Sequence, residues 1–127
     1  MLADQYKFAY VGSAYSHPDS EVRRWRYLKA VSYVRQRLLE GIVVYSPIVH
    51  CHPIQEAYPN EFPTEFEFWR NIDLTMLSKA SSFHYLVFEG HFSSKGLAAE
   101  KKFAIEQNIP IEYYALCPDI KIWKRND

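Results

Sequence analysis

Residues 84–114 read HYLVFEGHFSSKGLAAEKKFAIEQNIPIEYY, and this stretch decides the fold. It begins with the apolar run His84–Phe88, which is typical of a buried strand. The loop Glu89–Ser94 follows, and Lys95–Gln107 has apolar residues at helical spacing. A second run of strand formers, Ile109–Tyr114, completes a unit of strand, loop, helix and strand. Such a unit is typical of a parallel sheet that is covered by helices.

The first third of the chain has the same order of elements. The pattern predicts a strand over Phe8–Val11, a loop over Gly12–Asp19, a helix over Ser20–Glu40 and a second strand over Ile42–Tyr45. Helical spacing predicts that the core-facing stripe of this helix consists of Tyr27, Leu28, Val31, Val34 and Leu38. The basic cluster Arg23, Arg24 and Arg26 is interpreted as a solvated face of the same helix.

The middle of the chain is predicted to be less regular. The stretch Ile48–Pro63 contains several prolines and two histidines, and we interpret it as a long functional loop. A helix is predicted from Thr64 to about Ser78, because Thr64 and Glu67 have the spacing of a capping box. A short edge strand is predicted over Ile120–Trp123.

These elements predict an α/β domain over residues 1–127, with a parallel sheet, helices on both faces and right-handed crossovers. In such sheets ligands bind outside the carboxyl ends of the strands, where the strand order reverses. The residues that follow the first three strands are therefore expected to form the site: Gly12–Asp19, Ser46–Pro63 and Glu89–Ser94.

Composition narrows the class of function. Fifteen Lys and Arg balance fifteen Asp and Glu, so the basic excess of a nucleic-acid-binding domain is missing and polymeric nucleic acid is not expected as a partner. No apolar run reaches the length of a membrane span, and the first residues lack the pattern of a signal peptide. Two cysteines without CxxC spacing indicate reduced thiols, so we expect a cytoplasmic protein without membrane association.

Motifs for metals and cofactors are weak or missing in the sequence. His50 and His52 have no cysteine or carboxylate at ligand spacing, so we predict no metal site. The chain has neither a phosphate-binding P-loop nor a complete GxGxxG motif, and we expect no cofactor.

Two carboxylates lie where the sheet-edge rule directs attention. Glu100 falls in the second turn of the helix after the third strand, and Asp73 lies among apolar residues of the preceding helix. From the residues alone, Asp73 fits a hydrogen-bonded core position as well as a functional one. Glu100 alone also fits an acidic residue placed near a helix N-terminus, where the helix dipole favours negative charge.

Four motifs in order carry a resemblance: Tyr10-Val-Gly-Ser13, Ser46-Pro47, Asn71-Ile-Asp73 and Ser94-Lys-Gly-Leu-Ala-Ala-Glu100. The chain resembles the nucleoside 2-deoxyribosyltransferase superfamily, and within it most of all the DUF1937 group. The group's pattern is matched further by Ser16-His-Pro-Asp19, by Ser46-Pro-Ile48 with His50 and His52, and by Phe68-Trp69.

The resemblance implies a flavodoxin-like or Rossmann-like three-layer sandwich with a four- to five-stranded parallel sheet. It implies cleavage or exchange of the N-glycosidic bond of a nucleoside or nucleoside 5′-monophosphate, with Glu100 as the nucleophile. Asp73 would contact the base or give it a proton, and Ser94 would reach the sugar or phosphate. The resemblance also implies a homodimer or higher homo-oligomer that shares its site. The substrate-binding residues expected are Tyr10, Gly12, Ser13, Tyr15, Asn71, Ser94 and Gly96. The aromatic candidates to stack on a base or to cap the pocket are Tyr10, Tyr15, Trp69 and Phe92.

Two positions depart from the superfamily's pattern. Lys102 stands where a glycine is common, two residues after the nucleophile, and the first loop has Tyr15 and Ser16 where an arginine grips phosphate in related hydrolases. His17 or Lys95 are the candidates to replace that charge. Two further readings therefore stay open: a nucleotide-binding or sensor module without turnover, and an interaction protein on an inherited fold.

Overall fold

The computed structural model describes residues 6–63 and 66–126. Along this part of the chain, strands and helices alternate as the sequence predicts, apart from one additional helix after the second strand. The elements are β1 (Ala9–Gly12), α1 (Ser20–Leu39), β2 (Val44–Tyr45), α2 (Pro47–Ala57), α3 (Phe66–Ser78), β3 (Ser82–Val87), a short 3₁₀ turn (His91–Ser93), α4 (Lys95–Glu106), β4 (Ile111–Cys117) and β5 (Ile122–Arg125).

The strands form one five-stranded sheet in the order β2-β1-β3-β4-β5. Strands β1 to β4 are parallel, which confirms the predicted α/β fold of Rossmann-like type. The fifth strand is antiparallel to β4. Only residues 118–121 connect β4 to β5, and a parallel pairing would require a crossover of a dozen or more residues. The order reverses between β1 and β3, which is the switch point of a flavodoxin-like sheet.

The two faces of the sheet carry separate cores, because successive residues of a strand point to opposite faces. Tyr10 of β1 belongs to the cluster that α3 and α4 cover. Its neighbour Val11 belongs to the cluster that α1 covers, together with Trp123 of β5. Helices on both faces make the three layers.

The predicted apolar stripe of α1 is wrong in part. Leu28 and Leu38 are 47% and 58% exposed, whereas Arg26 and Arg37 are buried. Arg26 is buried because its guanidinium donates to two backbone carbonyls of the loop after β1. Arg37 is buried because it lies over the aromatic rings of the α1 face. The prediction of a solvated basic face therefore fails for Arg26 and holds for Arg24, which is exposed. It holds only in part for Arg23, which is half-buried and donates to the His17 carbonyl.

The prediction of an irregular stretch over Ile48–Pro63 is also wrong for residues 48–57, which belong to α2. Ser46 caps this helix by accepting a hydrogen bond from the Val49 amide. Pro47 occupies the first turn, where the missing N–H of a proline costs no hydrogen bond of the helix. The capping box proposed for α3 involves Thr64, which lies outside the described residues. None of the helices within residues 6–63 and 66–126 combines the length and the apolar character that a membrane span requires.

Candidate active site

A cavity of about 510 Å³ opens at the carboxyl ends of the strands. The loop after β1 forms one wall, α2 a second, α3 a third, and the first turns of α4 the fourth. The cavity thus lies at the switch point between β1 and β3. Its lining residues are Ser13, Tyr15, Ser16, Pro47, Ile48, Cys51, His52, Gln55, Phe66, Glu67, Trp69, Asp73, Ser93, Ser94, Lys95, Gly96, Leu97, Ala99 and Glu100.

Glu100 lies at the base of this cavity and is only 4% exposed. Its carboxylate accepts a hydrogen bond from the hydroxyl of Tyr10, which is fully buried in β1. Burial raises the pKa of Glu100 well above its ordinary value, and the charge of Asp73 raises it further. The hydrogen bond from Tyr10 acts in the opposite direction, because it favours the ionised carboxylate.

Asp73 is the second carboxyl in the cavity. It lies on the inner face of α3, is 8% exposed, and its Oδ1 atom has no hydrogen-bond partner among the described residues. Burial raises the pKa of Asp73 to about 7. Two buried carboxyls with raised pKa values in one cavity make the site a candidate for acid–base chemistry.

Two glycines, Gly96 and Gly12, allow the close packing of the elements that surround the cavity. A Cβ on Gly96 would lie 2.9 Å from the ring of Phe66, so glycine lets the start of α4 approach the start of α3. A Cβ on Gly12 would lie 2.4 Å from the ring of Phe83. Gly12 therefore permits β1 to run against the core beneath the cavity, and it has no room for a side chain.

The cavity is lined by polar atoms that lack partners. Among the described residues, five buried side-chain atoms make no hydrogen bond, and three of them belong to cavity residues: Ser13 Oγ, Gln55 Oε1 and Asp73 Oδ1. Buried polar groups are normally hydrogen-bonded, so these three atoms are available to bind water or a polar ligand in the cavity.

The N-terminus of α4 forms the side of the cavity where an anion is favoured. Ser94 caps the helix by accepting from the Leu97 amide, and the first backbone amides of a helix are donors without partners in the helix. Lys95 also lines the cavity, whereas His17 does not. Of the two candidates for a replacement cation, Lys95 is the one in position.

Helix α2 lies in the segment Ser46–Pro63 that the sequence predicts at the site, and it contributes three residues that the sequence does not single out for substrate binding. Cys51, His52 and Gln55 face the cavity at a spacing of one helix face. The signal was present in the Ser46-Pro47 pair, which is a helix start as well as a strand end. Burial raises the pKa of the Cys51 thiol to about 11, so the thiol stays protonated at neutral pH.

Among the residues that the structure describes, no group of three or more His, Cys, Asp or Glu side chains is arranged to hold a metal ion. A search of curated proteins finds no match to the chain. A family model described as a domain of unknown function, DUF1937, matches residues 6–116. The chain belongs to the DUF1937 family.

In this DUF1937 protein the structure brings together most of the residues predicted for the site. Glu100, Asp73, Ser13, Tyr15, Ser94 and Gly96 line the cavity, and so does Trp69. Tyr10 and Gly12 lie beneath it, where Tyr10 holds Glu100 and Gly12 gives close packing.

Two predicted residues lie elsewhere in the DUF1937 fold. Asn71 is exposed on the outer face of α3, where it lines a separate shallow depression. It points away from the cavity because it is two positions from Asp73, and a helix turns by about 200° over two residues. Phe92 is 93% exposed and does not line the cavity, so the expectation that it caps the pocket is wrong. Lys102 is exposed on α4 and is not a lining residue.

Proposed function

We propose that this DUF1937 protein cleaves or exchanges the N-glycosidic bond of a nucleoside or nucleoside 5′-monophosphate, as the resemblance to nucleoside 2-deoxyribosyltransferases suggests. The observation that carries the proposal is the pair of buried carboxyls, Asp73 and Glu100, in one polar cavity at the switch point of the sheet. Cleavage of a glycosidic bond passes through an oxocarbenium-like state that one carboxylate stabilises or captures, while a second carboxyl protonates the leaving group.

In the proposed reaction Glu100 attacks the anomeric carbon and Asp73 gives its proton to the departing base. This requires the negative charge on Glu100 and the proton on Asp73. The raised pKa of Asp73, about 7, supports its role as an acid near neutral pH. The Tyr10 hydrogen bond and the positive charge that develops on the sugar both favour an ionised Glu100.

The start of α4 and the loop after β1 suit the sugar or its phosphate. The α4 N-terminus, Lys95 and the unpartnered hydroxyl of Ser13 are the groups that favour an anion there. Trp69 and Tyr15 offer aromatic surface to the base.

The test is a panel of deoxynucleosides and their 5′-monophosphates, with free base measured by chromatography. We expect wild type to release base from at least one substrate, and Glu100→Gln to lower the rate by at least about 100-fold. Glu106→Gln is the matched control, because Glu106 is exposed at the far end of the same helix. Equal rates in wild type and Glu100→Gln, or no release from any substrate, would refute the proposal.

One observation favours a second candidate, a nucleotide-binding module without turnover. Glu100 has its pKa raised well above the ordinary value, and a Glu100 that stays protonated with ligand bound would donate a hydrogen bond instead of attacking. Thermal shifts with nucleotides that are then recovered intact, together with no free base, would support this candidate over the enzyme.

We also propose that the protein forms a homo-oligomer around the cavity mouth. Phe62, Phe68 and Trp69 form a cluster of ring contacts, of which Trp69 lines the cavity and Phe68 is 48% exposed. Light scattering coupled to size-exclusion chromatography tests this, and a monomer at all concentrations would refute it.

A further inference from the structure

A chain of three side chains runs from the cavity to the surface and is not used by the Asp73–Glu100 pair. The Tyr15 hydroxyl lies 2.6 Å from Nδ1 of His52, and Nε2 of His52 lies 3.0 Å from Oε1 of Glu56. Tyr15 and His52 line the cavity, whereas the Glu56 side chain is 54% exposed and faces Arg24 at 3.5 Å. The chain thus connects the cavity to the solvent.

The hydrogen bonds fix the tautomer of His52. The Glu56 carboxylate can only accept, so Nε2 of His52 carries a proton and donates it to Glu56. In the neutral ring Nδ1 is then the acceptor, and the Tyr15 hydroxyl donates to it. Burial lowers the pKa of His52, which favours this neutral form. Burial raises the pKa of the Tyr15 hydroxyl, and the charge and hydrogen bond of Arg23 act in the opposite direction. The Tyr15 oxygen keeps one further lone pair that can accept a proton.

The imidazole is held in place as well as oriented. The ring of Tyr27 stacks on His52 at a centroid distance of 4.2 Å, and His52 is 4% exposed. A hydroxyl bonded to a histidine that is oriented by a carboxylate is the arrangement by which enzymes activate an oxygen to take or lose a proton. In α2, His52 therefore has a fixed position, a fixed orientation and a hydrogen bond to a residue that lines the cavity.

We propose that Tyr15, with His52 and Glu56 behind it, is the general base for the second half of the reaction, a role that rests on the proposed glycosidic function. Water, or an acceptor nucleophile, attacks the anomeric carbon of the glycosyl–Glu100 ester. Its proton passes to the Tyr15 oxygen while the Tyr15 proton passes to Nδ1 of His52. The bond from the anomeric carbon to the Glu100 oxygen breaks, and its electron pair returns to the carboxylate. The imidazolium faces the Glu56 carboxylate and afterwards loses its proton to solvent.

The competing arrangement uses Asp73 in both halves, first as the acid and then as the base. In that case Tyr15 and His52 only shape the wall of the cavity. The two arrangements differ in which step slows when His52 is changed: removal of a base for the second half leaves base release intact and traps the glycosyl–enzyme.

The experiment uses His52→Gln, which keeps hydrogen-bonding groups but cannot take up a proton, and Tyr15→Phe as an independent variant. His50→Gln is the control, because His50 is an exposed neighbour on α2 that does not line the cavity. On the substrate from which wild type releases base, rapid-quench measurement gives the first turnover, steady-state assays give kcat, and intact mass spectrometry detects the glycosyl adduct.

For both variants we expect first-turnover base release within about threefold of wild type, kcat lowered by about 100-fold or more, and the adduct on most of the protein during turnover. The His50→Gln control should resemble wild type. Loss of the first turnover and of kcat by the same factor, or a normal kcat, or no adduct, would overturn the role of Tyr15 and His52 while the proposed function stands. Absence of base release in wild type would instead overturn the proposed function, and this role with it.

Discussion

Replacement of Asp73 by asparagine tests whether the cavity holds a carboxyl that the fold keeps protonated. Asparagine has nearly the same shape, so the change removes the ionisation and little else. In the fold, burial moves the pKa of Asp73 from an ordinary 3.8 to about 7. At about 1.4 kcal/mol for each pH unit, ionising Asp73 in the folded protein costs on the order of 4 kcal/mol.

The sign follows from proton linkage. Because the pKa is higher in the fold than in the unfolded chain, the fold binds more protons between those two values. The contribution of Asp73 to the free energy of unfolding is therefore fully present below about pH 4 and is lost as the pH rises to about 7. The asparagine in Asp73→Asn does not titrate, so the free energy of unfolding of this variant should rise relative to that of wild type over this pH interval.

The assay is urea unfolding of both proteins at a series of pH values. We expect the difference in unfolding free energy to shift in favour of Asp73→Asn by about 2 to 4 kcal/mol between about pH 4 and about pH 8. Glu106→Gln, an exposed substitution on α4, should follow wild type within about 0.5 kcal/mol at every pH. Profiles of wild type and Asp73→Asn that stay parallel would show that Asp73 is not a buried acid.

Three further predictions concern the frame of the site. Gly96→Ala should lower the free energy of unfolding by about 1 to 3 kcal/mol in thermal unfolding, because the new methyl would meet the Phe66 ring. Phe66→Leu in the same protein should recover part of this loss, and additive effects of the two substitutions would refute the contact. Gly41→Ala should cost about 1 kcal/mol through its φ of +78° alone, since nothing lies within 4 Å of the added carbon, and an unchanged melting temperature would contradict this. Cys51 should react with iodoacetamide much more slowly than the half-buried Cys117 at neutral pH, because burial raises the pKa of Cys51 to about 11. Mass spectrometry of the labelled peptides measures this, and equal labelling of the two cysteines would contradict it.

Strong local patterns made the sheet and the position of Glu100 predictable. The runs of strand formers in β1 and β3, and the helical period of α4, each agree with what tertiary packing requires. The rule that ligands bind at the carboxyl ends of parallel strands then places Glu100 and Asp73 at one edge. Sequence spacing could not show that both would be buried in the same cavity, because that depends on how closely α3 and α4 approach at Gly96.

The misses have physical reasons that a single sequence hides. Pro53 and the neighbouring histidines lower the helical character of α2, yet the Ser46 cap and tertiary contacts stabilise it. In α1, Arg26 and Arg37 replace apolar residues at the buried positions, because loop carbonyls accept hydrogen bonds from Arg26 and aromatic rings pack against the Arg37 guanidinium. The direction of β5 depends on the length of its turn.

Capture of the glycosyl–enzyme tests the central claim, that Glu100 is a nucleophile. Incubation with 2′-fluorinated nucleosides, which slow the breakdown of such esters, is followed by protein digestion and mass spectrometry of the peptides. We predict one sugar on the α4 peptide, attached at Glu100, and none in Glu100→Gln or after digestion of the untreated protein. Release of base by wild type with no sugar on this peptide, or a sugar attached to another residue, would contradict the role of Glu100.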